Sequence, residues 1–133
     1  MAREKKVIDA SVVVKWFLDE EGSKEALLLR SAHIAGEISL VVPDLLFLEV
    51  LNALRYKGAT QKGLADANRA LWEIQFHIEK GNNFLLEKAS TLALEHHLSL
   101  YDSLYLALAL LYGCPLITAD RSLAKVANVV VLR

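Results

Sequence analysis

Val7-Ile8-Asp9-Ala10-Ser11-Val12-Val13-Val14-Lys15-Trp16 is the stretch that decides the fold. The β-branched pair Val7-Ile8 favours a strand, and that run stops at an acid. From residue 11 to about 18 the apolar positions change to helical spacing, with Val12 and Trp16 facing inward and Val13 and Phe17 beside them. The pattern is strand, Asp, helix. It returns near the other end, where a strand at Leu116-Ile117-Thr118 leads to Asp120 and a short helix is expected over 123–126. A last strand follows at Val129-Val130-Val131-Leu132.

Between these ends, 24–35 carries an amphipathic helical pattern and 38–42 a second strand. Pro43-Asp44 opens a helix that runs to about Lys57 and ends at Gly58, with Leu46, Phe47, Val50, Ala53 and Leu54 as its inward stripe. Further helices are expected over 62–75, 84–97 and 102–112. Short apolar strands separated by helices imply right-handed crossovers and an α/β fold, with a short, mainly parallel central sheet covered on both faces. Ligands in such sheets bind just beyond the carboxyl ends of the strands, where Asp9 and Asp120 fall.

The 133 residues are expected to form one domain, 1–133, with no repeat, linker or low-complexity segment. A hydrophobic fraction of 54% with 23% charged residues excludes a disordered chain. The net charge of −1 provides no global field toward nucleic acid, so any such binding must be local. The single Cys114 cannot form an internal disulfide, which fits a reducing cytoplasm. The apolar stretch after the basic start breaks at Asp9, unlike a signal peptide, and the run over 104–112 is far shorter than a bilayer span. A soluble, cytoplasmic protein with a buried helix at 104–112 is expected.

Four acids interrupt apolar runs: Asp9, Glu49, Asp102 and Asp120. A carboxylate beside buried hydrocarbon is disfavoured unless something pairs with it. Asp9, Asp102 and Asp120 each stand where a helix begins, so an N-cap explains each one singly. Glu49 lies within its helix at the border of the apolar stripe, with Asn52 as a polar neighbour that could orient it. A solvated border Glu, or an ion pair with Arg55 or Lys57, is the alternative. Taken together, clustered carboxylates repel one another, and a hard divalent cation such as Mg²⁺ or Mn²⁺ reverses that repulsion. Phosphodiester hydrolysis uses this combination most directly. Ser11 and Thr118, each two residues from an acid, could fix a carboxylate or a water, or could serve only as a cap and a strand residue.

The residues resemble the PIN domain, and within it the VapC-type toxin ribonucleases of toxin–antitoxin pairs. The matching segments are the opening stretch, Pro43-Asp44-Leu45-Leu46-Phe47-Leu48-Glu49-Val50-Leu51-Asn52-Ala53-Leu54, Tyr101-Asp102-Ser103-Leu104-Tyr105-Leu106-Ala107-Leu108-Ala109, and Leu116-Ile117-Thr118-Ala119-Asp120-Arg121-Ser122-Leu123-Ala124. The resemblance implies a three-layer α/β/α fold and metal-dependent endonuclease activity on RNA. By position, Asp9, Glu49, Asp102 and Asp120 match the acids that coordinate Mg²⁺ or Mn²⁺, and Ser11 and Thr118 the supporting hydroxyls. Many relatives carry a further acid where Ser122 stands here. The resemblance also implies a homodimer and a small VapB-like antitoxin whose tail enters the acidic groove.

Lys15 and Arg121 lie close enough in sequence to the acids to contact RNA phosphates, with Lys57 and Lys125 as further candidates; solvated surface cations are the alternative for each. His77, His96 and His97 lack metal-site spacing. Leu45 and Leu48 fall off the main stripe of their helix and could leave apolar surface for another chain; extra packing inside the monomer is the simpler expectation. A haloacid-dehalogenase-like phosphatase would need a second Asp where Ser11 stands. A non-catalytic or housekeeping PIN module binding RNA or protein is the remaining alternative, and loss of some of the acids would mark the non-catalytic form.

Overall fold

The strand that ends in the opening motif, β1 (Glu4–Ile8), lies at the centre of a five-stranded sheet. The computed structural model describes residues 3–132. The order is β3-β2-β1-β4-β5, with β2 (Ile38–Pro43), β3 (His77–Glu79), β4 (Leu116–Thr118) and β5 (Val129–Val131), and every neighbouring pair is parallel. Val7 registers with Val41 on one side and Leu116 on the other, so the apolar β1 end is enclosed and Val7 and Ile8 are fully buried.

The helices are α1 (Ala10–Val13), α2 (Ser23–Ile34), α3 (Leu45–Tyr56), α4 (Gln61–Glu73), α5 (Asn83–His96) and α6 (Leu100–Tyr112). They cover the sheet on both faces in the expected three-layer α/β/α arrangement. α6 lies on β1, β2 and β4, with α5 packed against its outer side. Residues Ser103, Leu104, Tyr105, Leu106, Ala107, Leu108 and Ala109 are all buried, which is why this helix shows no polar face. Leu110 and Leu111 emerge into solvent, so the expected burial of the whole run stops one turn early.

Several boundaries differ from expectation. The helix after Asp9 is a single α-turn that tightens into a 3₁₀ turn at Val14–Trp16 and does not reach residue 18. Trp16 explains the stop: its indole N–H donates to the Ala26 carbonyl at 2.8 Å and its ring stacks on Phe76. The short helix near the C-terminus is a 3₁₀ turn at Arg121–Leu123, earlier than expected. Strand β3 was not anticipated, because an edge strand of three half-buried residues carries no period-2 signal. His33 ties this side together. Its Nδ1 accepts from the Leu40 N–H, so Nε2 carries the proton shared between the Ile74 and Gln75 carbonyls.

The connections place the helix starts. Only Asp44 separates β2 from α3, so α3 begins at the sheet's carboxyl edge. Only residues 113–115 separate α6 from β4, so α6 ends at the amino edge and begins at the carboxyl edge. Leu45 is partly buried as expected, but Leu48 is 67% exposed and does not pack inside the monomer. Among the described residues no helix is long and apolar enough to cross a membrane.

Candidate active site

Asp9, the first residue beyond β1, is anchored at both ends. Its N–H donates to the Ile117 carbonyl, and its Oδ1 accepts from the Ser11 N–H at 3.1 Å and from the Ser11 hydroxyl. The N-cap reading was therefore right for Asp9, yet it leaves Oδ2 uncommitted. The Ser11 Oγ in turn accepts from the Ala119 N–H at 2.9 Å and lies 3.3 Å from the Thr118 Oγ1, which accepts from the Asp120 N–H. Ser11 has a single hydroxyl proton and gives it to Asp9, so the Thr118 hydroxyl hydrogen is directed at this same pair. The two hydroxyls thus fasten the carboxyl ends of β1 and β4 to each other.

Asp120 also caps: its Oδ1 accepts from the Ser122 N–H at 2.9 Å and the Ser122 Oγ at 2.7 Å. Ser122 therefore supports Asp120 and takes up one of its oxygens. Asp102 is different from the expected cap. Ser99 caps α6, its hydroxyl accepting from the Asp102 N–H, and Asp102 stands in the first turn with its carboxylate free of that duty.

Glu49 projects from α3 and accepts a 2.6 Å hydrogen bond from the Tyr105 hydroxyl of α6. Tyr105 orients it; the expected neighbour Asn52 is exposed and lines the surface beside Glu49 with Leu45, Leu48 and Tyr101. Tyr105 was missed because it sits in an unbroken apolar run. Its position one turn after Asp102 on the same helix was the available signal.

Asp9, Glu49 and Asp102 each feel the charge of another acid. Burial pushes the Asp9 carboxyl up to about 6; hydrogen bonds from Ser11 and Thr118 pull it back, and the Asp102 charge raises it again. Glu49 is raised by burial and by Asp102, with the Tyr105 bond opposing, and Asp102 is raised by burial and by Asp120, with a hydrogen bond from Ser99 opposing. Asp102 is thus the member that links the other three. Among the described residues none of the four forms a salt bridge with Lys, Arg or His.

This donor set fits a hard cation: all oxygen, negative, partly dehydrated and, among the described residues, uncompensated. Among the described residues no three His, Cys, Asp or Glu side chains are already gathered as a group for one ion. Mg²⁺ takes one or two carboxylates and keeps several waters, so a preformed three-carboxylate cage is not required.

Two outcomes follow for the metal-free protein. The folded Asp9 carboxyl, near 6, lies above its ordinary 3.8. Its contribution to stability is complete below about pH 4 and is lost as pH rises through 6, a loss on the order of 3 kcal/mol at its limit. Melting in chelator from pH 4.5 to 7.5 should therefore show wild type losing more stability than Asp9→Asn, and parallel curves would contradict the burial of a strained carboxylate here. Tyr105→Phe keeps the buried ring but removes the donor to Glu49. We expect a well-folded protein whose divalent-ion affinity falls about 10- to 100-fold, as for other outer-shell partners, measured by Mn²⁺ titration.

Three of the four cations the sequence offered are engaged. Lys15 Nζ lies 3.2 Å from Glu20 Oε1, Lys57 Nζ lies 3.8 Å from Glu20 Oε2, and Arg121 pairs with Glu21 at 3.3 Å. Lys125 is exposed. His77 bonds to Tyr112, His96 ends α5 and His97 is its left-handed C-cap, in line with structural roles.

The PIN domain family model matches residues 6–129. Ribonuclease VapC3 of Pyrobaculum aerophilum is 36% identical over 129 aligned positions, covering 91% of this chain and 93% of that protein. Among solved structures, Mycobacterium tuberculosis VapC20, described as a sarcin-ricin loop cleaving toxin, superposes with a TM-score of 0.73 at 14% identity, covering 92% of this chain and 95% of the other. A toxin–antitoxin complex from Klebsiella pneumoniae matches with a TM-score of 0.70 at 21% identity, over 94% and 95% of the two chains. At those identities the two structures speak for the fold.

Proposed function

The chain belongs to the PIN domain family and, within it, to the VapC-type ribonucleases, and from that premise we propose that it is a Mg²⁺- or Mn²⁺-dependent endoribonuclease acting as the toxin of a toxin–antitoxin pair. The observation that carries this is the set of four carboxylates delivered from β1, α3, α6 and β4 to one edge, coupled through Asp102 and, among the described residues, without a cation paired to them. Asp9, Glu49, Asp102 and Asp120 would hold the ion. When bound, it would polarise the scissile phosphate and make a water nucleophilic near neutral pH.

The chain's own residues supply the rest. Ser11 and Thr118 hold the Asp9 carboxylate against rotation. Tyr105 does the same for Glu49, and Ser122 for Asp120. Burial raises the Asp9 carboxyl to about 6, so below that pH a cation must displace a proton to bind, and binding weakens in acid.

A small VapB-like antitoxin, a homodimer and a cytoplasmic site of action belong to the same proposal. The exposed Leu48 and Tyr101, lining the surface next to Glu49, support a protein partner at the mouth of the site. The test is RNA cleavage by the purified protein with Mg²⁺ or Mn²⁺ and its loss in excess chelator. Undiminished cleavage in chelator would end the metal-dependent reading. Growth arrest on expression, relieved by co-expression of a small adjacent gene product, would separate a toxin from a housekeeping nuclease.

A further inference from the structure

Beside the acidic centre, between the α1 turn and the last turns of α3, lies an open cavity of about 340 Å³. Its wall includes Ser11 and Asp120 of the site, together with Lys15, Lys57 and Glu20. We infer that this cavity is a phosphate subsite for the RNA strand next to the scissile bond, and that Glu20 occupies it as an internal stand-in for the phosphate. The inference rests on the ribonuclease function proposed above.

The geometry is that of one anion shared by two cations from different elements. Glu20 presents Oε1 to Lys15 Nζ at 3.2 Å and Oε2 to Lys57 Nζ at 3.8 Å. A phosphodiester offers the same arrangement, two anionic oxygens on one centre. Lys15 is built in: its side chain is only 14% exposed, and its ammonium also donates to the Glu21 carbonyl. Its stem runs along Gly22, where an added Cβ would sit 3.4 Å from both Lys15 Cδ and Cε. Gly22 also has φ +86°, a conformation that favours glycine, so the turn at this point can close over the lysine. Lys15 therefore loses little freedom when it meets an anion.

The other arm is loose. Lys57 is 53% exposed, and 3.8 Å is an ion pair without a hydrogen bond. Glu20 is itself 34% exposed, so it can turn to solvent when a phosphate arrives. Pairs this exposed are weak, and a competing anion displaces them readily. An RNA strand approaching four carboxylates needs local positive charge, and these two lysines share a wall with Ser11 and Asp120. Glu20 masks that charge until a strand is present.

The test is anisotropy of a fluorescein-labelled single-stranded RNA with Mg²⁺, in an Asp9→Asn background so that the probe stays intact. Glu20→Gln should tighten binding by about two- to five-fold, because a self-occupied site lowers apparent affinity by the fraction occupied and pairs this exposed are weak. It should also steepen the dependence of log Kd on log salt by about 0.7, the value for one further phosphate of a single strand. Lys57→Gln should weaken binding, and adding it to Glu20→Gln should erase the gain. Unchanged or weaker binding by Glu20→Gln, or a gain that survives loss of Lys57, overturns the subsite. Should Glu20→Gln fail to fold, an unchanged Kd for the exposed-site variant Lys57→Gln overturns it as well. If the RNA-binding pattern appears while wild type fails to cleave RNA, the subsite stands and the nuclease function falls; if wild type cleaves RNA and the pattern is absent, the reverse holds.

Discussion

Asp9→Asn should lower RNA cleavage by about a thousandfold while making the metal-free protein more stable. The loss corresponds to several kcal/mol, the scale of charge stabilisation a bound cation supplies. Two properties of the residue separate function from folding. Asn accepts hydrogen bonds through its side-chain oxygen as Asp does, so the cap on α1 and the contact with Ser11 persist. What disappears is a charge held in a site where the carboxyl is raised to about 6. At pH 7 in chelator its removal should gain on the order of 1–3 kcal/mol, read as a rise of roughly 3–5 °C in Tm per kcal/mol. A residue kept for stability would show the opposite sign. Reduced stability together with undiminished cleavage would contradict the role of Asp9.

Asp102→Asn carries the second large effect and reaches further. Asp102 raises Asp9 and Glu49 and is itself raised by Asp120, so it is the one carboxylate whose charge bears on both sides of the cleft. Its replacement should bring cleavage down by a hundredfold or more, again on the several-kcal/mol scale of a lost cation contact. The same substitution should lower the Asp9 and Glu49 pKa values, because a like charge is gone. Carboxyl titration by NMR measures this directly. Since Ser99 caps α6, the helix start does not depend on Asp102 and the fold should be intact. Activity near wild type, or an Asp9 titration that does not move, would remove Asp102 from the centre of the site.

Much of this was legible in the chain, for identifiable reasons. Strands β1, β2, β4 and β5 announce themselves because runs such as Leu116-Ile117-Thr118 are apolar and abruptly terminated. Strand β3 is silent: His77-Ile78-Glu79 has neither alternation nor length, and only its pairing with β2 makes it a strand. The four acids stood out where they broke apolar runs, but singly three of them looked like caps. That alternative held for Asp9 and Asp120 and failed for Asp102, because the capping hydroxyl lies three residues earlier, at Ser99. Tyr105 was invisible for a converse reason. A tyrosine inside an apolar helix looks like core, and only the meeting of α6 with α3 shows its hydroxyl on Glu49. The engagement of Lys15 and Lys57 by Glu20 depends on how the turn before α2 folds back, which no local pattern encodes.

The central claim is that four carboxylates from four elements form one cation site. Titration of the purified protein with Mn²⁺, followed by electron paramagnetic resonance of the free ion, tests it most directly. Wild type should take up Mn²⁺ saturably and in competition with Mg²⁺, and a folded Asp9→Asn/Asp102→Asn variant should take up none over the same range. Equal Mn²⁺ uptake by the two proteins would contradict it.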